Sequence, residues 1–320
     1  LRLERVEDWD GVRRLLRDHA PWSPRDFVPN ISKAGDREIV ADELCRPIEP
    51  ADDFRFVARG PSGPDLLVLA ERLKWDSEFF ALGIAKLHGV WPARPPLHRR
   101  DLDLRGALEG LLEACRRRDL HYLFAPVDPR DLSLLRALGD LGFALIETRW
   151  IHHSPVTPPV LEDRLGVRRA VEADVPSLAR TAAQMVNPYD RFHADPFFRR
   201  EDVDRLMEKW VEESVRGRMA DVVIVPDAAE PTAFVTYRYH RDRWPRWGRR
   251  LAQGVLSAAS PEYLGWMGRV GPEVLHHLHG VGVEHVYGTT QATNESILWF
   301  AQEQGARFGR CELIFRKVLS

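Results

Sequence analysis

HVYGTTQATNESILWFAQEQGARF, residues His285–Phe308, is the stretch whose reading decides the fold. Val286 to Thr290 read as a short strand. Gln291 and Asn294 mark a turn, Ile297, Leu298 and Ala301 recur at helical spacing, and Gly305 falls where the helix must stop. Thr293 or Asn294 sits at the N-cap position, where a short side-chain oxygen takes a free helix N–H, and Glu295 places a negative charge in the first turn, where the helix dipole favours it. The plainest role for these residues is that of a cap.

The same order recurs on either side. VLHHLHGVG reads as a helix, HVYGTT as a strand, NESILWFAQEQ as a helix, GARF as a turn and CELIFRKV as a strand. In the first half, a helix with Leu108, Leu111, Leu112 and Cys115 on one face precedes the strand HYLFAPV. A helix with Leu134, Leu135, Leu138 and Leu141 follows, then Gly142-Phe143 and another strand. The chain therefore reads as two copies of one α/β unit. The proline-rich stretch Ser154 to Gly166 is the expected linker, giving domains 1–153 and 167–320 separated by 154–166.

The first segment opens with an amphipathic helix carrying Val6, Trp9, Val12, Leu15 and Leu16. The runs FRFVAR and LLVLAERL read as neighbouring strands joined by a turn at Gly60–Asp65. In LKWDSEFFALGIAKL, Trp75, Phe79 and Phe80 read as core anchors around an Asp76 or Ser77 cap, and a proline-rich connection follows from Trp91 to Pro96. In the second half VRRAVEADVPSLARTAAQMV reads as a strand followed by Asp174, a plausible N-cap, and a helix faced by Val175, Leu178 and Ala182. VVIV, AFVTYRYH and RLAQGVLSAA then read as antiparallel strands.

The chain has 320 residues, 44% of them hydrophobic, and a net charge of −2. That balance argues against general nucleic-acid binding, which goes with a basic excess. No apolar run approaches the roughly 20 residues that cross a bilayer, so no membrane association is expected. Cys45, Cys115 and Cys311 are too scattered for a disulfide framework or a paired metal motif, and a reduced, cytoplasmic setting is the default. No metal is expected either, because His276, His277, His279 and His285 lack ligand spacing.

Arg191, His193 and Asp195 lie close in sequence, and salt bridges or caps are their commoner use. In RDRWPRWGRR, arginines alternate with Trp244 and Trp247; such interleaving stacks bases and holds phosphates, while a solvated hairpin loop is the commoner form. In SPEYLGWMGRVGPEVL, Gly265, Gly268 and Gly271 precede a helical pattern. A glycine-containing loop at a helix N-terminus lets backbone N–H groups hold a pyrophosphate.

These features together resemble the GCN5-related N-acetyltransferase (GNAT) superfamily, and within it the two-domain branch typified by dTDP-fucosamine acetyltransferase. The segments that carry the resemblance are LKWDSEFF, GVRRAVEADVPSLA, DRFHADP, the strand–SPEYLG–helix unit and TTQATNESILWFAQEQGARF. The resemblance implies an α/β (α+β) fold of tandem GNAT-like domains, each a mixed, mostly antiparallel sheet flanked by helices, the first degenerate. It implies a V-shaped opening for acetyl-CoA or another acyl-CoA, with the pantetheine along the backbone of Leu256, Ser257 and Ala258 and the pyrophosphate at Gly265, Gly268, Arg269 and Gly271. Asn294 would also serve the coenzyme. Direct attack of an amine on the thioester would need positioning, deprotonation and oxyanion stabilisation.

Two departures accompany the likeness. The family's pyrophosphate loop usually reads Arg or Gln, two residues, Gly, one residue, then Gly or Ala, whereas this chain reads Glu262, Tyr263, Leu264, Gly265, Trp266, Met267, Gly268, with Trp266 and Met267 bulky beside the phosphates; and the family's tyrosine acid falls on Ala301. Tyr287, Tyr263, Tyr237 and Tyr239 are the other phenols available, with Tyr287 and Tyr263 the catalytic candidates. The leading expectation is an N-acyltransferase acting on the primary amine of a small molecule, including a nucleotide-activated amino sugar, which would meet Arg191, Tyr237, Tyr239, Trp244 and Trp247. Two alternatives share these features: a GNAT-like binding or interaction protein that has lost catalysis, and an acyltransferase using a non-acetyl or carrier-linked donor.

Overall fold

The computed structural model describes residues 2–20, 23–60, 65–95, 102, 104–160, 163–185, 187–263 and 265–319, with Met267 described by its backbone alone. Most of the turn expected at Gly60–Asp65 lies outside these residues, as do Pro96, Leu264 and two positions of the expected linker, 161 and 162. The first half contains β1 (Arg2–Arg5), α1 (Trp9–His19), α2 (Lys33–Cys45), β2 (Asp53–Arg59), β3 (Leu66–Arg72), α3 (Lys74–Phe80), β4 (Ile84–Pro92), α4 (Arg105–Arg116), β5 (Tyr122–Val127), α5 (Leu132–Asp140) and β6 (Ala144–Pro155). The second contains β7 (Val167–Arg169), α6 (Val175–Gln184), α7 (Arg200–Val215), β8 (Val222–Pro226), β9 (Ala233–Arg238), α8 (Trp244–Trp247), β10 (Leu251–Ala259), α9 (Trp266–Gly280), β11 (His285–Gln291), α10 (Glu295–Glu303) and β12 (Arg307–Val318).

Two compact units result, and neither is a single run of sequence. One comprises Leu1–Asp26, Ser32–Thr148 and Cys311–Ser320; the other comprises Phe27–Ile31 and Arg149–Arg310. The division falls inside β6 rather than at a linker. Ser154 and Pro155, the expected start of that linker, pair in register with Val286 and His285, because an extended segment beside a strand edge satisfies its backbone groups there.

In the first unit the strands run β1-β2-β3-β4-β5-β12, antiparallel except for β4 beside β5. β3 is buried along almost its whole length, LLVLAE, because both faces are covered. One face meets Leu108, Leu111 and Leu112 of α4, the other Leu15 and Leu16 of α1. Asp8 starts α1 by accepting from Gly11 N–H at 2.7 Å. Trp75, Phe79 and Phe80 are half-buried and packed ring on ring. No side chain caps α3; Ser77 Oγ instead accepts from Ile84 N–H and donates to Ile84 C=O.

In the second unit the order is β6-β11-β10-β9-β8-β7, antiparallel except for β10 beside β11. Trp266, Val270, Val274 and Leu278 of α9 pack with Val235 and Ala252. Asp174 stands at the start of α6, yet its carboxylate reaches back to Val171 N–H and takes both arms of Arg168 instead of capping α6. Each unit is thus a mixed, mostly antiparallel sheet flanked by helices.

Candidate active site

β10 and β11 pair in parallel only from Leu251↔His285 to Gly254↔Gly288. Beyond that point β10 runs on to Ala259 and β11 to Gln291 without pairing with each other, so the sheet opens between them. A bulge lies on β10 at the start of the opening: Val255 and Leu256 together oppose Thr236, between the pairs Gly254↔Tyr237 and Ser257↔Val235. Thr236 Oγ1 holds the bulge, accepting from Leu256 N–H at 2.8 Å and donating to Leu256 C=O at 3.0 Å.

The register also fixes which backbone groups face the opening. Ser260 N–H donates to Thr232 C=O, so in the antiparallel alternation Ala258 also bonds toward β9 while Ser257 and Ala259 turn their N–H and C=O groups away from it. Of the three residues expected to line a pantetheine, Ser257 is the one whose backbone is offered. Leu256 is engaged by Thr236 and Ala258 by β9.

β10 leads by a short turn into α9, which begins within the expected glycine loop. Gly265 is its N-cap, whereas Gly268 and Gly271 are helical. Among the described residues no side-chain cap bond is made at the Gly265 N-cap, a Cβ at Gly265 or Gly268 would meet open space, and Arg269 is exposed. A helix start of this kind suits an anion. Gly271 has a different use, since a Cβ there would come within 2.7 Å of Gln304 Oε1; the glycine lets α10 approach α9. Trp266 turns into the core, where it is 6% exposed and edge-on to Tyr263 at 6.3 Å.

Asn294 caps α10, accepting from Ile297 N–H, and its amide donates to Thr290 Oγ1 at 3.1 Å. Gly305 adopts φ 71° and ends the helix, with Ala306 N–H closing back on Ala301 C=O. Ala301 itself is 3% exposed.

Side-chain chemistry gathers on one face just before the strands part. Gln253, Tyr287 and His153 are register partners on β10, β11 and β6, so they share that face. Tyr287 OH donates to Gln253 Oε1 at 3.2 Å, and His240 Nε2 meets the same oxygen at 3.0 Å. His153 stacks on His285, with centroids 6.2 Å apart, and lies near Phe27. Burial holds both imidazoles below their usual pKa, helped by mutual repulsion at His153 and by Arg249 at His285. On the opposite face His152 lies over Gly288, where a Cβ would come within 2.8 Å of its Nε2. Burial pushes His152 down to about 4.

The remaining expected contacts have the following surroundings. Trp247 is fully buried, Trp244 Nε1 donates to the carbonyls of Tyr239 and Leu251, and Tyr239 OH meets His277 Nε2 at 2.8 Å. RDRWPRWGRR is not a solvated hairpin loop: it folds into a short 3₁₀ turn and α8, with Arg241 over the Tyr239 and Trp244 rings and Arg243 over Trp247. Arg241 and Arg243 thus lie over local aromatic rings, while Arg249 and Arg250 pair with Glu284. Tyr237 lies beside Gly254, and burial raises its pKa to about 12. Arg191 stacks on Phe192. Among the described residues no group of three metal-ligating side chains assembles, and no helix is long and apolar enough to cross a membrane.

His193 has a structural use. It is sandwiched between Asp190, at 2.5 Å from Nδ1, and Asp204, at 3.1 Å from Nε2. Burial alone would lower its pKa, and the two carboxylates outweigh burial and raise it. A raised folded-state value makes this contribution complete below about pH 6.5, the unfolded value, and lost as pH rises through the folded one. Thermal melts should therefore show a wild-type Tm that falls on passing from pH 6 to above pH 8. His193→Gln should melt lower at pH 6 and with a flatter profile; an unchanged slope would rule out the latch.

No family model matches the chain, and no curated protein does. Its fold is nevertheless found among solved structures. A GCN5-related glucosamine N-acetyltransferase region of a fungal multi-domain β-N-acetylglucosaminidase aligns with TM-score 0.62 and 12% identity, over 99% of this chain and 38% of that one. A tandem GNAT protein from the clavulanic acid biosynthesis pathway aligns with TM-score 0.54 and 12% identity, over 99% and 98%. A GCN5-related N-acetyltransferase from Sphaerobacter thermophilus gives 0.53 and 12%, over 88% and 85%. At this identity the likeness is one of fold: the chain has a two-domain GNAT fold.

Proposed function

We propose that the chain is an acyl-CoA-dependent N-acyltransferase whose second unit transfers the acyl group, as acetyl from acetyl-CoA, to the primary amine of a small molecule. The observation that carries this reading is the parting of β10 from β11 beyond Gly254 and Gly288, with the Ser257 backbone turned to the opening. β10 then leads to the uncapped start of α9 beside Arg269. A pantetheine arm finds backbone partners at Ser257, and a pyrophosphate finds N–H groups and positive charge at Gly265, Gly268 and Arg269.

Tyr287 is the phenol best placed to return a proton to the departing thiolate, since it stands at the last pairs before the opening. At rest its hydroxyl donates to Gln253 Oε1, the oxygen that His240 Nε2 also meets, and it turns from Gln253 to donate to the thiolate. His153 and His285 on the same face, kept neutral, supply proton acceptors for the incoming ammonium. Amino sugars, free and nucleotide-linked, belong among the acceptors to be tested.

The test is release of free CoA from acetyl-CoA in the presence of an amine panel. Amine-dependent release is expected, and Tyr287→Phe should lower kcat by roughly 10²-fold with the KM for acetyl-CoA unchanged. A variant with wild-type kcat would remove Tyr287 from this role, and absence of coenzyme binding would remove the reading. Burial of Ala301, the position matched to the family's tyrosine, favours one other reading: a binding protein that holds acyl-CoA without turning it over.

A further inference from the structure

The first unit repeats the opening seen in the second. β4 and β5 pair only from Ile84↔Tyr122 to Lys86↔Phe124, while β4 continues to Pro92 and β5 to Val127. β4 also carries a bulge just past the last parallel pair: Leu87 faces Ala70 and Gly89 faces Leu69, leaving His88 as the extra residue.

His88 is not a filler. Its Nε2 lies 3.1 Å from Glu71 Oε1 on β3, and Glu71 Oε2 is taken by Arg46 NH2 at 2.5 Å. Arg46 is fixed in turn, donating to Glu43 C=O while its own carbonyl accepts from Arg55. With Glu71 ionised, Nε2 carries the proton and Nδ1 the lone pair. Nδ1 has no hydrogen-bond partner among the described residues and is not among the polar atoms sealed from solvent; the side chain is 17% exposed. His193 differs, since both of its nitrogens are consumed.

We propose that the first unit holds a second catalytic site, in which His88 Nδ1, oriented by Glu71 and Arg46, takes a proton from a hydroxyl group attacking an acyl ester. The hydroxyl is that of water or an alcohol. Its O–H bond breaks as Nδ1–H forms, the oxygen's electron pair makes the new bond to the acyl carbon, and the alkoxide or thiolate leaves carrying the imidazolium's proton. Glu71 offsets the transient imidazolium charge. Lys86, on β4, and Arg46, after α2, act on His88 as cations against the single carboxylate of Glu71, which disfavours an ammonium and favours a neutral O–H donor whose charge becomes negative in the transition state.

Burial, with Lys86 and Arg46, lowers the His88 pKa against the pull of Glu71, so the ring is neutral and able to accept at pH 7. Glu71 is held below the usual carboxylate range by His88 and Arg46 in spite of its burial. The site is independent of acyl transfer in the second unit.

The experiment uses the full chain with 4-nitrophenyl acetate and no coenzyme. The rate of 4-nitrophenolate release should rise through a single inflection below pH 6.5, and His88→Gln should lower it at least about 10-fold. Glu71→Gln should move the inflection to lower pH, which loss of packing alone would not do. Leu132→Ala, at an exposed position of α5 outside both sites, should leave the rate unchanged, and because the assay contains no coenzyme its failure is separate from failure of the acyl-transfer reading. Diethyl pyrocarbonate labelling of the wild-type chain, mapped by mass spectrometry, needs no variant and should modify His88. An unlabelled His88, or a wild-type rate in His88→Gln, overturns the proposal.

Discussion

Replacing Ser257 by proline should weaken acetyl-CoA binding at least about ten-fold, equivalent to about 1.4 kcal/mol, while leaving the thermal stability of the chain nearly unchanged. The alternation of β10 against β9 points the Ser257 N–H into the opening rather than into the ladder, so proline removes a donor that folding does not use. It removes the donor a pantetheine amide needs. Ser257→Ala is the control: it retains the N–H, and its affinity should match the wild type. Calorimetric titration reads both. Equal affinity in Ser257→Pro would mean that the coenzyme does not lie along this edge.

The second large effect is on the bulge. Thr236→Val keeps the shape of the side chain but deletes the hydroxyl that both accepts from and donates to the Leu256 backbone. Thr236 is 1% exposed and the Leu256 groups it serves are part-buried, and leaving such groups without partners costs up to about 1–3 kcal/mol. Urea denaturation should show a loss of that size for Thr236→Val and recovery of most of it in Thr236→Ser. Acetyl-CoA affinity should fall together with stability, since the bulge sets the direction of Ser257. A stable Thr236→Val with wild-type affinity would show that the bulge is held by other means.

What the sequence made legible follows from how local each signal is. The strand, turn and helix at His285–Phe308 are visible because Asn294 and Gly305 act within a few residues of where they stand, and the duplication is visible because both copies repeat one order of elements. Pairing partners are not local. CELIFRKV reads as a strand, yet nothing in it tells that Leu313–Val318 pair with β5 of the first unit. Ser154 and Pro155 read as linker because proline-rich composition hides a strand edge.

The same distinction divides the sites. Three glycines in a row of positions suggest a phosphate loop, but only packing separates Gly271, which admits Gln304, from Gly265 and Gly268, which face open space. Arginine alternating with tryptophan suggests a nucleotide surface, and only burial shows Trp247 to be core. His88, Glu71 and Arg46 come from a bulge, a neighbouring strand and the residue after α2, with no spacing that a sequence pattern could record.

Hydrogen exchange of the full chain with and without acetyl-CoA tests the central claim most directly, because it reads individual backbone amides. The account predicts that coenzyme slows exchange at Ser257 and Ala259, along the open edge of β10, and at the first turn of α9 from Trp266 to Gly268. Saturating coenzyme that leaves these amides exchanging as in the free chain would contradict it.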